Sequence, residues 1–126
     1  MTIYNAVSAL NYGVYNNIVS IYLPYTGTYD CDISFPIWCV PGDTADCSLR
    51  YCISTNSTTP DSIASNTLAY YTISAGLQNT LITLTCRRIM YVSSPTNICL
   101  IVWFSGGTNT YATIQPTSFI RYTRIA

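Results

Sequence analysis

The stretch that decides the fold is Thr28–Phe35, which reads TYDCDISF. Polar and apolar side chains alternate along its whole length, and the apolar ones are Tyr29, Cys31, Ile33 and Phe35. A period of two is that of an extended strand, whose successive side chains point to opposite faces of a sheet. The stretch therefore predicts a strand with one face buried in a core and the other face in contact with solvent or a partner.

Similar runs occur on both sides of that stretch. Cys47–Ser54 places Leu49, Tyr51 and Ile53 on one face, and Thr80–Val92 places Ile82, Leu84 and Cys86 on one face. Asn97–Phe104 is apolar on both faces, which predicts a central strand or one covered by a neighbouring subunit. The remaining strand candidates are Val19–Leu23, Leu68–Ser74, Thr110–Gln115 and Ser118–Ile125.

Turn-forming residues separate these runs. Glycine, proline, asparagine or aspartate occurs in every intervening stretch, and these residues supply turn dihedral angles. No stretch shows the 3.6-residue period of an amphipathic helix. The sequence predicts one all-β domain over residues 1–126, a jelly-roll-like antiparallel β-sandwich of about eight strands, with residues 1–17 as a candidate N-terminal arm.

Charged residues are few and balanced: the chain has five arginines, five aspartates, no lysine, glutamate or histidine, and a net charge of zero. Nucleic acid is not expected as a partner, because phosphate binding needs clustered basic residues. Membrane insertion is not expected either, because the longest apolar stretch, Ile98–Phe104, is far too short to span a bilayer. A neutral surface rich in Ser, Thr, Asn and Tyr lacks charge repulsion between copies, which favours a protein that works inside an assembly.

The same composition argues against catalysis. Without His, Glu or Lys the usual general bases are missing, and a Cys or Ser nucleophile would lack its activating partner. Asp30 and Asp32 share one strand face and could form a carboxylate pair for glycoside hydrolysis, while Asp43 and Asp46 share a loop and could bind calcium. Solvated strand and turn aspartates are commoner, so we predict a protein that is not an enzyme and has no metal or cofactor.

Six cysteines, at positions 31, 39, 47, 52, 86 and 99, form no CxxC motif, which argues against a zinc site. Those at 31, 86 and 99 lie inside strand-like runs, where a buried free thiol behaves as a small apolar group. Three others flank the loop VPGDTAD and are the predicted location of a disulfide: Cys39, Cys47 and Cys52.

Tyrosines are candidate contact residues, because a tyrosine offers a flat apolar ring with a polar tip. Those singled out are Tyr12, Tyr15, Tyr22 and Tyr25 near the N-terminus and the adjacent pair Tyr70 and Tyr71. We predict contacts with a glycan or a neighbouring subunit; the alternative is that about half of them point into the core. Asn56-Ser57-Thr58 is an N-glycosylation sequon in a polar loop.

Three short motifs carry a resemblance to a known family. Leu23-Pro24 followed by Gly27-Thr28-Tyr29 opens a strand, Ser105-Gly106-Gly107-Thr108 forms a late hairpin, and the chain ends in Arg121–Ala126, RYTRIA. Over residues 22–126 the sequence resembles the jelly-roll heads of fibre and other structural proteins of large DNA viruses and phages, which are similar in plan to C1q and tumour-necrosis-factor domains. The resemblance implies a trimer about a three-fold axis.

Composition and resemblance together predict a virion structural protein. We expect a capsid-surface, spike or fibre-head component that binds copies of itself and other virion proteins, with a host surface glycan as a candidate ligand. The N-terminus lacks the basic and apolar regions of a signal peptide, so we expect synthesis in the host cytoplasm. The alternative is a secreted, extracellular carbohydrate-binding module stabilised by disulfides.

The thiol content distinguishes these two alternatives. We expect titration with a thiol reagent in denaturant, without reductant, to detect close to six thiols, because a virion protein made in the cytoplasm keeps its cysteines reduced. Detection of almost none would contradict the virion prediction and support the secreted module.

Overall fold

The computed structural model of the protein describes residues 1–40, 46–61, 68–74, 80–107 and 110–126. These residues form ten strands and no helix: β1 (Thr2–Tyr4), β2 (Ser8–Ala9), β3 (Asn16–Leu23), β4 (Gly27–Val40), β5 (Cys47–Ser54), β6 (Ala69–Ile73), β7 (Thr80–Val92), β8 (Thr96–Ser105), β9 (Tyr111–Ile114) and β10 (Ser118–Arg124). The predicted all-β class is confirmed. The eight predicted strands correspond to β3–β10, and the two short strands β1 and β2 were not predicted.

The strands form two antiparallel sheets. In the six-stranded sheet β4 pairs with β7 along one side, and with β10 and then β9 along the other; β1 and β2 extend this second side. The four-stranded sheet has the order β3-β8-β5-β6. Because the chain changes sheet after β2, β3, β4, β6, β7 and β8, its strands wrap around one shared core, as the predicted sandwich requires.

Strand β4 shows the predicted alternation over its whole length. Its inward side chains are at most 1% exposed, and they are Tyr29, Cys31, Ile33, Phe35, Ile37 and Cys39. The ring of Phe35 meets that of Tyr51 on the opposite sheet edge-to-face, with centroids 5.2 Å apart. This contact joins the two layers, and the remaining core residues of both sheets pack around it.

Strand β8 is buried on both faces because it lies at the centre of its sheet and has cover on the outside. Ile98, Leu100 and Val102 belong to the main core. On the other face Cys99 and Ile101 form a second cluster with Cys52, and the half-buried residues packed against it are Tyr15 and Leu68. The central position predicted for this strand is thus found, and part of its outer face is covered by the same chain.

Residues 1–17, predicted as a candidate arm, run along the sandwich. Strand β1 pairs with β10 and strand β2 pairs with β9. Leu10 is buried, and its N–H donates to the carbonyl oxygen of Ala112 at 2.9 Å. This segment therefore extends the six-stranded sheet.

The C-terminal residues are held by the start of β4. The Ile125 N–H donates to the Thr28 carbonyl at 2.8 Å, and the Thr28 N–H donates to the Ala126 carbonyl at 3.1 Å. Gly27 has a φ of +152°, and a Cβ on it would lie 2.4 Å from the Ala126 carbonyl oxygen. A glycine is required there, since any side chain would displace the end of the chain.

Deletion of residues 118–126 should unfold or aggregate the protein. It removes the strand between β1 and β4 together with fully buried Ile120, whose burial alone contributes about 1.5–3 kcal/mol to a total stability of about 5–15 kcal/mol. The matched control is deletion of Met1–Asn5, which removes only the short edge strand β1 and should lower stability mildly. Soluble yield and melting temperature measure both effects; a stable protein without residues 118–126 would contradict the importance given to β10.

Candidate functional site

The outer face of the six-stranded sheet carries two ion pairs side by side. Arg87 donates to both carboxylate oxygens of Asp30, at 2.8 and 2.6 Å, and Arg121 donates to both of Asp32, at 2.7 and 2.9 Å. These bidentate hydrogen bonds raise the pKa of both guanidiniums, and the bond from Arg87 lowers the pKa of the Asp30 carboxyl. The charges on this face are therefore compensated within the subunit.

Large apolar side chains lie on the same face as these ion pairs, some beside them and others toward the opposite end of β7. Leu81, Ile89 and Tyr91 alternate with buried residues along β7 and are 58%, 55% and 64% exposed. Trp38 on β4 and Tyr111 on β9 are exposed as well. Among the described residues β7 pairs with β4 alone, so this face ends at a thirteen-residue edge strand. We call these five apolar residues and the two ion pairs the six-strand face.

The outer face of the four-stranded sheet carries a second cluster, centred on Arg50 of β5. Pairing sets Arg50 between Tyr70 of β6 and Trp103 of β8. The guanidinium carbon lies 4.3 Å from the centroid of the Trp103 ring and 5.8 Å from that of Tyr70. Arg50 also donates to the hydroxyl of Tyr15, whose pKa is raised mainly by burial. These four residues are the Arg50 cluster, which brings Tyr15 and Tyr70 together with two residues that the sequence analysis did not single out.

The other four predicted tyrosines lie apart from this cluster. The Tyr12 hydroxyl donates to the Gly106 carbonyl, and its ring packs edge-to-face on Phe104. Tyr22 is exposed on β3, opposite Asn97, and Tyr25 is exposed in the turn after it. Tyr71 is exposed on the edge strand β6. They do not form a single surface, because Tyr12 lies beside one end of β8 and Tyr22 beside the other.

A buried ion pair lies where loop 55–61 meets β7. Arg88 is 2% exposed, and one guanidinium nitrogen donates to the Asp61 carboxylate at 3.0 Å and to the Ile53 carbonyl at 2.8 Å. The same carboxylate oxygen accepts from the Thr55 N–H at 2.9 Å. A cleft of about 320 Å³ opens beside this pair. Sequence analysis missed Arg88, although its position in the alternation of Thr80–Val92 puts it on the inward face with Leu84.

All six cysteines are free thiols in the structure. Cys39 and Cys47 both face the main core and are hydrogen-bonded to each other; this bond and burial raise the pKa of Cys39. A Cys39–Cys47 bridge therefore stays a prediction. Cys52 lies apart from this pair, in the separate cluster on the outer side of β5, because it stands five positions after Cys47 and so points to the opposite face of the strand.

The Asn56 sequon lies in the exposed loop after β5. Its side-chain oxygen accepts from the N–H and the hydroxyl of Thr58, both at 2.9 Å. The loop is exposed, as a glycosylation site requires, and modification of Asn56 stays a prediction. Asp43, the other loop residue considered as a calcium ligand, is outside the described residues.

No protein-family model and no curated protein matches the sequence. Within the residues that the structure describes, no group of three or more potential ligand side chains could hold a metal ion. The described part of the chain also contains no helix long and apolar enough to cross a membrane.

Replacement of Arg88 by Met should lower the free energy of unfolding by about 3–5 kcal/mol, because it leaves the Asp61 carboxylate without its buried counterion. Replacement of Arg87 by Gln is the matched control: its pair with Asp30 is exposed, and exposed ion pairs contribute little to stability because water and salt screen them. Urea unfolding of the two variants measures the difference. Equal destabilisation would show that the buried pair has no special structural role.

Alkaline pH should destabilise the protein through its buried thiols. Burial raises the pKa of Cys31 from 9.0 to about 11 and that of Cys52 to about 12. Because the folded-state pKa values exceed those of the unfolded chain, this contribution to stability is complete below pH 9 and is lost as the pH rises through about 11 and 12. Urea midpoints measured from pH 8 upward should fall accordingly, and less steeply for Cys31→Ala; a flat profile would contradict the expectation.

Proposed function

We propose that this protein is a non-enzymatic structural component of a virion, on the capsid surface or in a spike or fibre head, which works as a multimer of identical chains. The observation that carries the proposal is the six-strand face, with three large apolar side chains on one exposed edge strand. Ile89 and Tyr91 are neighbours on this face, and Leu81 lies beside Trp38 further along the same strand; exposed apolar patches of this kind mark interaction sites. A second copy of the chain is the partner that this neutral face suits best.

The ion pairs on this face support an interface. Burying an unpaired charge at a contact costs several kcal/mol, whereas Asp30 and Asp32 already bind Arg87 and Arg121 in bidentate geometry. A partner can thus cover the face without leaving either carboxylate uncompensated. The chain's zero net charge adds no long-range repulsion between copies.

Three further points support the virion role. The resemblance to viral jelly-roll heads implies a homotrimer. The six free thiols suit a protein made in the reducing host cytoplasm and then carried in the particle with other virion proteins. The absence of His, Glu and Lys from the sequence supports a role without catalysis.

A secreted carbohydrate-binding module is the second candidate. The observation that favours it is the Arg50 cluster, where exposed Tyr70 and half-buried Trp103 flank a guanidinium. Aromatic rings beside polar donors suit sugars, which have apolar ring faces and hydroxyl edges. In the virion proposal the same cluster would serve host attachment.

Light scattering tests the assembly directly. We expect the wild-type protein to be a multimer, with a trimer as the expected state, at micromolar concentration. Ile89→Asp should dissociate it into folded monomers, because the substitution places an unpaired charge in the contact. Tyr22→Asp is the matched control, an exposed aromatic on the other sheet, and should leave the mass unchanged. A monomeric wild-type protein, or equal effects of both variants, would overturn the proposed interface.

A further inference from the structure

Arg50 and Arg124 are the two arginines without an aspartate partner among the described residues. Arg124 lies over the single ring of Tyr25, whereas Arg50 lies between two aromatic rings. Arg87, Arg88 and Arg121 form ion pairs with aspartates, and Arg124 donates to the Thr26 carbonyl at 2.8 Å. Within the described residues Arg50 has no carboxylate in ion-pair range; its contacts are the two aromatic rings and the Tyr15 hydroxyl. Among the residues that the structure describes, no carboxylate therefore compensates this positive charge on the outer face of the four-stranded sheet.

The surrounding rings hold this charge in place. Cation–π attraction is strongest when a guanidinium lies over a ring within about 6 Å of its centroid, and Arg50 meets that condition with both Trp103 and Tyr70. The pairing of β5 with β6 and β8 fixes the two rings on rigid strands. An arginine held in this way has lost much of its rotamer freedom before any ligand arrives, which reduces the entropy cost of binding.

The chemistry of the cluster indicates the ligand. A guanidinium has five N–H donors in a planar fork that matches a carboxylate, and the hydrogen bond to Tyr15 leaves others available. Tyr70 is 66% exposed, so its ring offers an apolar surface beside the charge. A ligand that binds both the N–H donors of Arg50 and the exposed ring of Tyr70 has a carboxylate attached to a ring with an apolar face.

We infer that the Arg50 cluster is a binding site for a carboxylated sugar, of the kind that terminates cell-surface glycans. The carboxylate accepts hydrogen bonds from the Arg50 guanidinium, and the sugar ring packs on Tyr70. This inference rests on the attachment role within the proposed function and gives it a ligand class. The cluster lies on the sheet opposite to the six-strand face, so the two sites can be occupied together.

Ligand-observed NMR titration tests the site with three probes. These are 3′-sialyllactose, which carries a carboxylated sugar, lactose, which is its neutral core, and sodium acetate, which is the bare anion. We expect saturable binding of 3′-sialyllactose and much weaker binding of the other two. Equal binding of lactose would overturn the role of Arg50, and equal binding of acetate would show a simple anion site instead of a sugar site.

Variants then locate the binding on the protein. Arg50→Ala should weaken binding of 3′-sialyllactose about tenfold to a hundredfold, as expected for loss of hydrogen bonds to a charged group. Arg50→Lys should restore only part of it, because the charge remains and the planar fork is lost. Tyr70→Ala should weaken binding as well, and Arg87→Gln, an exposed arginine of the other sheet, should not. Unchanged binding by Arg50→Ala would overturn the inference.

The same titration on Ile89→Asp separates this inference from the proposed assembly. If the protein assembles and does not bind the probe, the ligand inference fails while the structural role stands. If monomeric Ile89→Asp binds the probe as the wild type does, the site belongs to the single subunit, as the geometry of the cluster requires.

Discussion

Strict alternation along β4 is the constraint on which the structure depends. This strand is hydrogen-bonded to β7, β9 and β10, and its six inward side chains are almost completely buried. A shift of one residue in its pairing would put Asp30 and Asp32 into the core and expose Tyr29 and Phe35, since a one-residue slip exchanges the two faces of a strand. The register of the six-stranded sheet, and with it the position of both surface ion pairs, follows from this single pattern.

The scarcity of charge gives the two outer faces different characters. On the outer face of the six-stranded sheet Arg87 and Arg121 are each matched by a carboxylate, and the apolar side chains on that face can be covered at little electrostatic cost. On the four-stranded sheet the only arginine of β5 is held by aromatic rings. The proposed contact with another copy of the chain and the proposed anionic ligand thus use opposite faces, so the two would not compete for the same surface.

Arg88 stands at an inward-facing position of β7, so its charge is buried and needs a partner inside the protein. Its guanidinium donates to the Asp61 carboxylate and the Ile53 carbonyl, and one further nitrogen, Nε, is buried with no hydrogen-bond partner among the described residues. The pair ties loop 55–61 to β7, because the same carboxylate also binds Thr55. Such a buried pair adds little net stability, yet its loss is costly, so it specifies the position of the loop more than it strengthens the fold.

The sequence by itself determined the fold class and eight strands, because a period of two records which side of a strand faces the core. It did not reveal β1 and β2, since two or three residues are too short to show a period. Tertiary structure alone decided which strands are neighbours: it set Arg87 beside Asp30, 57 positions away, and Arg50 between Tyr70 and Trp103. It also separated Cys52 from Cys39 and Cys47. These contacts join residues far apart in the chain, and local alternation reports the face on which a side chain lies but not the strand that lies next to it.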